Sequence, residues 1–254
     1  MAGAYVFPGG GVDDADRDAD EPWCDGVADA IERLWELEPA DAVAQYVAGL
    51  RELFEEAGVL LARTAHRRFL SLADADAQTR FTQYRADVHA GSHTMREIMA
   101  REELRLALDA LVPWSHWVTP PIGARRFDTW FFVAAVPPDQ TPAHDERETI
   151  DSVWMTAADA IARCQRNEIV LPPPTWTTLR ELEAFASADA VIASARGRRI
   201  VRREPKVLER DGTKMLLLPG DPWNPETPVE AVPVETRFIL ADGRWRAERP
   251  PTLG

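Results

Sequence analysis

The pattern of apolar and polar positions along the 254-residue chain predicts a series of helices. The clearest pattern, with apolar side chains at three- and four-residue spacing, runs from Ala42 to Ala57 and ends at Gly58. The same periodicity and the usual helix-end signals predict four further helices. These lie at about residues 27–37, 95–111, 157–164 and 175–186, the last with Thr175 as its cap.

Strands are predicted where short apolar runs lie between turn residues. The longest run, Phe127 to Val136, is almost wholly apolar and predicts a central buried strand. Shorter strands are predicted at residues 4–7, 59–62 and 117–120. From Ala188 onward the chain is predicted to be rich in strands, because Asp-Gly turns at 211–212 and 242–243 lie between strand-like runs.

Composition narrows the class of protein. A 254-residue chain with 45% hydrophobic residues can bury one substantial core, so one main domain with an appendage is predicted. The net charge of −13 argues against nucleic acid or a membrane as a partner, since both are bound through clustered Lys and Arg. Two distant cysteines, Cys24 and Cys164, and the lack of a signal or spanning segment predict a reduced, cytoplasmic protein.

Three glutamates share one face of the helix predicted at residues 42–57. Glu52 lies three residues before Glu55 and four before Glu56, so their carboxylates are neighbours. Their repulsion would be reversed by a hard divalent cation bound through carboxylate oxygens, for which Mg²⁺ or Mn²⁺ is suited. Arg51, four residues before Glu55, is placed to orient one carboxylate. The alternative is a solvated acidic face with no ligand.

Two segments of the chain resemble the Nudix box, G-x₅-E-x₇-R-E-U-x-E-E-x-G-U, in which U is an aliphatic residue. Arg51 to Val59 reads RELFEEAGV, and Phe7 to Gly10 reads FPGG. Counted from Gly10, the first glutamate of the box falls on Asp16, and 34 residues instead of seven separate Asp16 from Arg51. The box is therefore predicted to be divided by an insertion.

A divided box resembles one branch of the family, the Nudix-19-like coenzyme A diphosphatases. Further segments resemble that branch, and together they cover roughly residues 4–187. They read AYVFPGG at 4–10, WVTP at 117–120, RRFDT at 125–129, ETID at 148–151 and LPPP at 171–174, with a looser likeness in LPGD at 218–221.

The resemblance implies the Nudix fold, an α/β/α sandwich around a mixed sheet. The implied Nudix domain covers residues 1–187, with the insertion inside the box at about 17–42, and a β-rich C-terminal extension covers 188–254. The family normally has a strand pair before the Phe-Pro-Gly-Gly turn. Only three residues precede Ala4, so the first strands are expected to be missing.

The resemblance also implies the chemistry. Glu52, Glu55 and Glu56 are expected to bind Mg²⁺ or Mn²⁺, and Glu55 or Glu148 to position or deprotonate the attacking water. A surface-loop role for Glu148 is an equal alternative. His89 and His93, four residues apart, are a weaker metal candidate, because no H-E-x-x-H motif accompanies them.

The implied substrate is a small nucleotide, coenzyme A or acyl-coenzyme A, cleaved to 3′,5′-ADP and a 4′-phosphopantetheine. Arg125 and Arg126 are candidates to bind phosphate oxygens, and Gly10 and Gly11 are further candidates for substrate binding. A structural salt bridge is the alternative for either arginine. The alternative functions are an ADP-ribose or dinucleotide pyrophosphatase and a catalytically silent Nudix module that binds nucleotides. A homodimer is left open.

Overall fold

The computed structural model describes residues 4–20, 22–121, 126–142, 153–224 and 235–250. The chain forms two compact units. The box unit comprises Pro8–Val112 and Phe132–Val153, and the terminal unit comprises Met1–Phe7, Pro113–Phe131 and Trp154–Gly254. The predicted division at residue 187 follows neither unit and stays a prediction.

Four helices of the box unit are described, and the second confirms the clearest prediction. They are α1, Val27–Arg33; α2, Pro39–Ala57; α3, Ala75–His89; and α4, Met95–Arg101. Helix α2 begins three residues before the predicted start, because Pro39 takes the first position, where its missing N–H costs nothing. It ends at Gly58, whose φ of 67° is the left-handed conformation that glycine adopts without strain.

Two differences from prediction lie at α3 and α4. Helix α3 was not predicted, since only three of its side chains are buried, namely Phe81, Tyr84 and Val88. The helix predicted at 95–111 is wrong beyond Arg101. There Glu103 takes a φ of 53° and the chain turns into a strand, Arg105–Ala107. The backbone of this strand forms hydrogen bonds with strands at Cys24–Asp25 and Ala62–Arg63, and this long-range pairing outweighs the local helical periodicity.

The box unit contains a small mixed sheet of three short strands. Strands β1, Cys24–Asp25, and β2, Ala62–Arg63, flank β3, Arg105–Ala107. β1 runs parallel to β3 and β2 antiparallel to it. The strand predicted at 59–62 is therefore displaced toward the C-terminus, although Val59, Leu60 and Leu61 are buried as expected.

A second three-stranded sheet corrects the predicted central strand. Its order is β5–β4–β6, with β4 at Val112–Val118, β5 at Asp128–Val133 and β6 at Arg202–Arg203. The predicted buried strand corresponds to β5, which lies at the edge and is at most half-buried. Every residue of β4 is buried instead. β4 carries polar side chains among its apolar ones, so the almost wholly apolar run at 127–136 was predicted as the central buried strand instead.

Three helices of the terminal unit are described: α5, Ala157–Gln165; α6, Pro173–Leu182; and α7, Ala188–Gly197. The predicted cap of α6 is wrong, since Pro172 precedes the helix and Thr175 is buried within its first turn. Helix α7 contradicts the prediction of strands from residue 188. Its start is set by Ser187, whose hydroxyl accepts a hydrogen bond from the Ala190 N–H at 3.2 Å.

The predicted hairpins near the C-terminus are confirmed. An antiparallel sheet has the order β10–β9–β8–β7. Its strands are β7, Lys206–Arg210; β8, Thr213–Leu217; β9, Arg237–Ala241; and β10, Arg244–Glu248. Both Asp-Gly turns have positive φ at both central residues, which is the hairpin turn that this dipeptide favours.

At the N-terminal end, the strand predicted at 4–7 is reduced to one bridge, between Ala4 and Val170. The helices, the parallel and antiparallel strand pairs and the strand-rich end confirm the predicted α/β class. Within the described ranges, no helix is long and apolar enough to cross a membrane.

Candidate active site

The candidate site lies in the box unit, on the last two turns of α2. The Arg51 guanidinium is the centre of the arrangement. Its Nη1 donates to Glu52 Oε1 at 2.8 Å and to Glu55 Oε1 at 2.9 Å. Both carboxylates are largely buried, since only 14% of the Glu52 side chain and 12% of the Glu55 side chain is exposed. The helical spacing thus brings two acids onto one guanidinium, as their sequence positions require.

The other side of the same guanidinium binds Asp16. Arg51 Nε lies 3.1 Å from Asp16 Oδ1 and Nη2 lies 3.0 Å from Oδ2. Asp16 is 2% exposed and sits on a short 3₁₀ helix, Asp14–Arg17, where its Oδ2 also accepts the Asp13 N–H. The residue to which the box count assigned the first acid is therefore in contact with the box arginine, despite the 34 residues between them.

The glycine turn closes over the same cluster. Arg51 Nη2 donates to the Gly11 carbonyl at 2.7 Å. A Cβ placed on Gly10 would collide with Glu52 Oε1, whereas Gly9 and Gly11 have open space at that position. Gly10 is thus required for the close approach of the turn to a carboxylate.

Carboxylates outnumber guanidinium groups at the site, and their surroundings shift the pKa of both Glu52 and Arg51. Burial raises the pKa of Glu52, and the neighbouring Glu55 and Asp13 raise it further, against the lowering effect of Arg51. Burial acts to lower the pKa of Arg51, but hydrogen bonds to Asp16 and Glu55 outweigh it and raise the pKa. One guanidinium thus lies within 3.0 Å of three carboxylates, those of Asp16, Glu52 and Glu55, with the Asp13 carboxylate 3.6 Å away.

These residues fit a hard divalent metal ion in part. Within the described residues, no three His, Cys, Asp or Glu side chains are already arranged as a metal site. Mg²⁺, however, is commonly held by one or two carboxylates, with water and substrate phosphate completing its six ligands. Glu52 and Glu55 supply two such carboxylates on adjacent turns, and Glu56 follows on the same helix.

The remaining predicted residues are placed elsewhere or not at all. Glu148 and Arg125 lie outside the described residues. Arg126, in the terminal unit, is half exposed; its guanidinium binds the Thr119 carbonyl at 3.3 Å and Glu204 Oε1 at 3.0 Å. A salt bridge, the structural alternative for this residue, is thus present.

The histidine pair is separated by the end of α3. His89 is the last residue of α3, and its Nδ1 lies 3.6 Å from Glu55 Oε2, whereas His93 Nδ1 lies 3.7 Å from Asp87 Oδ2. The two do not converge as a metal pair. Sequence reasoning missed Arg85, one turn before His89, whose guanidinium binds the Glu55 and Glu56 carbonyls.

The fold and the acid cluster on α2 define a class of protein that a solved structure also represents. The crystal structure of a NUDIX hydrolase from Alicyclobacillus acidocaldarius matches with a TM-score of 0.59 and 26% identity, covering 75% of this chain and 81% of that one. A family model of a Nudix domain also matches more than half of the chain, so the chain is a Nudix hydrolase, an enzyme of the diphosphatase type. Nudix hydrolases generally use divalent metal ions.

The branch of that family is also shown. The model of the NUDT19 Nudix domain matches residues 29–182, more than half of the chain, and the chain belongs to this family. The human protein named acyl-coenzyme A diphosphatase NUDT19 is 30% identical over 262 residues, 87% of this chain and 68% of that protein. The Xenopus laevis protein of the same name is 25% identical over 264 residues, 90% and 69% of the two chains.

Proposed function

We propose that this chain hydrolyses the diphosphate of coenzyme A or acyl-coenzyme A, with Mg²⁺ or Mn²⁺, to 3′,5′-ADP and a 4′-phosphopantetheine. Family membership supports the diphosphatase reaction. The substrate is supported by the names of the human and Xenopus relatives, which align with most of this chain.

The observation that carries the proposal is the contact between the two halves of the divided box. Arg51 from α2 binds Asp16 and the Gly11 carbonyl from the loop half, and Glu52 and Glu55 from its own helix. The insertion thus leaves the arginine and the acids of the two box halves in contact, as an active site would require. The silent-module alternative is therefore disfavoured.

We assign the roles as follows. Glu52, Glu55 and Glu56 would hold the ion, with Arg51 and Asp16 keeping two of these carboxylates in place. The ion, when bound, supplies positive charge that polarises the diphosphate and makes the attacking water more acidic. Glu55, or Glu148 from outside the described residues, orients that water and accepts its proton. Water attacks phosphorus directly, and no covalent bond to the enzyme forms.

Substrate recognition remains with the arginines and the glycine turn. Coenzyme A carries a 3′-phosphate in addition to its diphosphate, and a chain of net charge −13 needs local cations to bind it. Arg125 and Arg126 are our candidates, because a guanidinium fork matches phosphate oxygens. Gly10 and Gly11 would bring the turn close to the diphosphate. A cytoplasmic location and a homodimer stay predictions.

The test is a turnover screen with Mg²⁺ or Mn²⁺ against coenzyme A, acyl-coenzyme A, 3′-dephospho-coenzyme A, ADP-ribose and a dinucleotide, with products separated by chromatography. We expect 3′,5′-ADP and 4′-phosphopantetheine from coenzyme A, and no reaction in excess chelator. Good cleavage of ADP-ribose with none of coenzyme A would move the protein to the rival substrate class. Binding of these nucleotides without cleavage would support the silent module.

A further inference from the structure

The C-terminal end of α2 is closed by a side chain from another helix. The last carbonyls of any helix lack partners within it. In α2 the Phe54 carbonyl accepts the Gly58 N–H at 3.0 Å. The next two carbonyls are bound by Arg85 of α3, whose Nε donates to the Glu55 oxygen at 2.7 Å and whose Nη2 donates to the Glu56 oxygen at 2.8 Å.

The guanidinium is suited to this position by shape and by charge. Its two parallel N–H groups match two adjacent carbonyl oxygens, a geometry that an ammonium group does not reproduce. A helix C-terminus carries partial negative charge, which a nearby cation stabilises. Here the same turn also carries Glu55 and Glu56, so Arg85 lies where negative charge accumulates.

A second residue of α3 reaches the side chain of the same glutamate. His89 lies one turn after Arg85 on the same face of α3, and its Nδ1 is 3.6 Å from Glu55 Oε2. The other oxygen of Glu55 is held by Arg51. Glu55 is therefore contacted at its main-chain carbonyl and at both carboxylate oxygens, and α3 provides two of these three contacts.

We propose that α3 positions the metal-binding carboxylates, with Arg85 as the positioning residue. By holding the last turn of α2 through two main-chain carbonyls, Arg85 sets the direction in which Glu55 and Glu56 point, and it acts through these two side chains. This inference rests on the proposed function to the extent that these two glutamates bind the ion. The proposal assigns a role in metal affinity to α3, which lies between α2 and β3 in the chain.

The test compares Arg85→Met with Arg80→Met. Arg80 lies on the same helix, but its guanidinium pairs with Glu102 and contacts no residue of α2 in the hydrogen bonds and ion pairs of the described structure. The readouts are the Kd of Mn²⁺ in the absence of substrate, by electron paramagnetic resonance, the Mn²⁺ concentration for half-maximal turnover, and KM for coenzyme A. Arg85→Lys tests whether charge alone suffices.

We expect Arg85→Met to raise the Kd and the half-activating concentration of Mn²⁺ by about 10- to 100-fold. KM for coenzyme A at saturating metal should be unchanged. Arg85→Lys should recover part of the affinity, and Arg80→Met should match the wild type. A purely structural role would lower the thermal midpoint of Arg85→Met without changing Mn²⁺ affinity, and that result overturns the proposal.

If Arg85→Met does not fold, Arg85→Lys decides. Wild-type Mn²⁺ affinity in a folded Arg85→Lys would show that the two-pronged contact is not needed and would overturn the proposal. Failure of the proposed function is distinguishable, because the Mn²⁺ titrations need no substrate. A wild type that binds Mn²⁺ through Glu55 but does not cleave coenzyme A would leave the role of Arg85 standing.

Discussion

Both units bury an arginine among carboxylates, but the balance of charge differs. In the terminal unit, Arg237 meets Asp221 one to one; Nη2 lies 2.8 Å from Oδ1 and Nε 3.2 Å from Oδ2. The Thr236 hydroxyl and the Trp223 N–H also donate hydrogen bonds to the Asp221 carboxylate. The Arg237 and Asp221 side chains are almost inaccessible to water. In the box unit, the Arg51 guanidinium lies within 3.0 Å of the carboxylates of Asp16, Glu52 and Glu55 and 3.6 Å from that of Asp13.

The comparison separates a buried ion pair that serves structure from one that leaves a charge to be neutralised. A buried ion pair with balanced charge and complete hydrogen bonding has no excess charge that would bind a metal ion. Removing one partner of such a pair lowers the free energy of unfolding. An excess of partly buried carboxylate is unfavourable until a cation binds. The two clusters should therefore respond in opposite ways to the removal of one acid, and the predictions test this contrast.

The largest effect is expected from Glu55→Gln. The substitution keeps the shape of the side chain and removes the charge that would bind metal or accept a proton. kcat should fall by about 10²- to 10⁴-fold, the usual contribution of a general base. The thermal midpoint should stay near that of the wild type, because Gln still offers an oxygen to Arg51. Near-normal turnover by the folded variant would remove Glu55 from the mechanism.

Asp221→Asn should show the opposite pattern. It leaves the Arg237 guanidinium buried without its counter-ion, which typically costs about 3–5 kcal/mol of the free energy of unfolding. Denaturant titration would measure this loss, and kcat of the protein that remains folded should be unchanged. Retained stability together with lost activity would contradict the division of roles between the two clusters.

Gly10→Ala probes the approach of the glycine turn to Glu52. The added methyl group would displace the Glu52 carboxylate, which is flexible enough to move without unfolding the chain. Because Glu52 is one of the residues assigned to the metal ion, we expect its displacement to lower turnover by roughly tenfold. A tenfold loss corresponds to about 1.4 kcal/mol of activation free energy. Gly9→Ala is the matched control, because its Cβ would meet open space. Equal activities of the two variants would mean that the turn does not confine Glu52.

A smaller effect is expected in the pH dependence of stability without metal. The pKa of Glu52 is raised in the folded state, so the folded chain holds this proton more tightly than the unfolded chain. Stability therefore falls as pH rises through the window between the unfolded and the raised folded pKa, and stays lower above it. Glu52→Gln lacks this contribution.

In chelator, the thermal midpoint of Glu52→Gln relative to wild type should thus increase as the pH is raised across that window. A difference independent of pH would show that Glu52 does not titrate above its ordinary range. A difference that decreases with rising pH would show that the Arg51 contact outweighs the burial of the carboxylate.

Sequence reasoning succeeded where the signal is local. The helix that carries Glu52 and Glu55 has a continuous apolar stripe and a glycine stop, and the hairpins have Asp-Gly turns whose backbone conformation depends on two residues. Asp16 was found by counting along a known motif. Its contact with Arg51 needed the structure, because 34 intervening residues can close the loop in many ways.

Failures occurred where long-range pairing decides the outcome. Residues 102–111 have helical spacing but supply β3, whose backbone pairs with β1 and β2. β5 is more apolar than β4 in sequence, yet β4 lies between two strands and is the buried one. Arg85 has no local signal, since its partners are main-chain carbonyls of another helix.

The central claim is that the excess of carboxylate around Arg51 binds a divalent cation that the diphosphatase reaction requires. The most direct test is a calorimetric titration of Mn²⁺ into the wild type and into a variant that combines Glu52→Gln and Glu55→Gln, with coenzyme A turnover measured on the same samples. The account predicts saturable Mn²⁺ binding and turnover in the wild type and the loss of both in the folded variant. Unchanged Mn²⁺ binding by the variant, or full turnover in excess chelator, would contradict it.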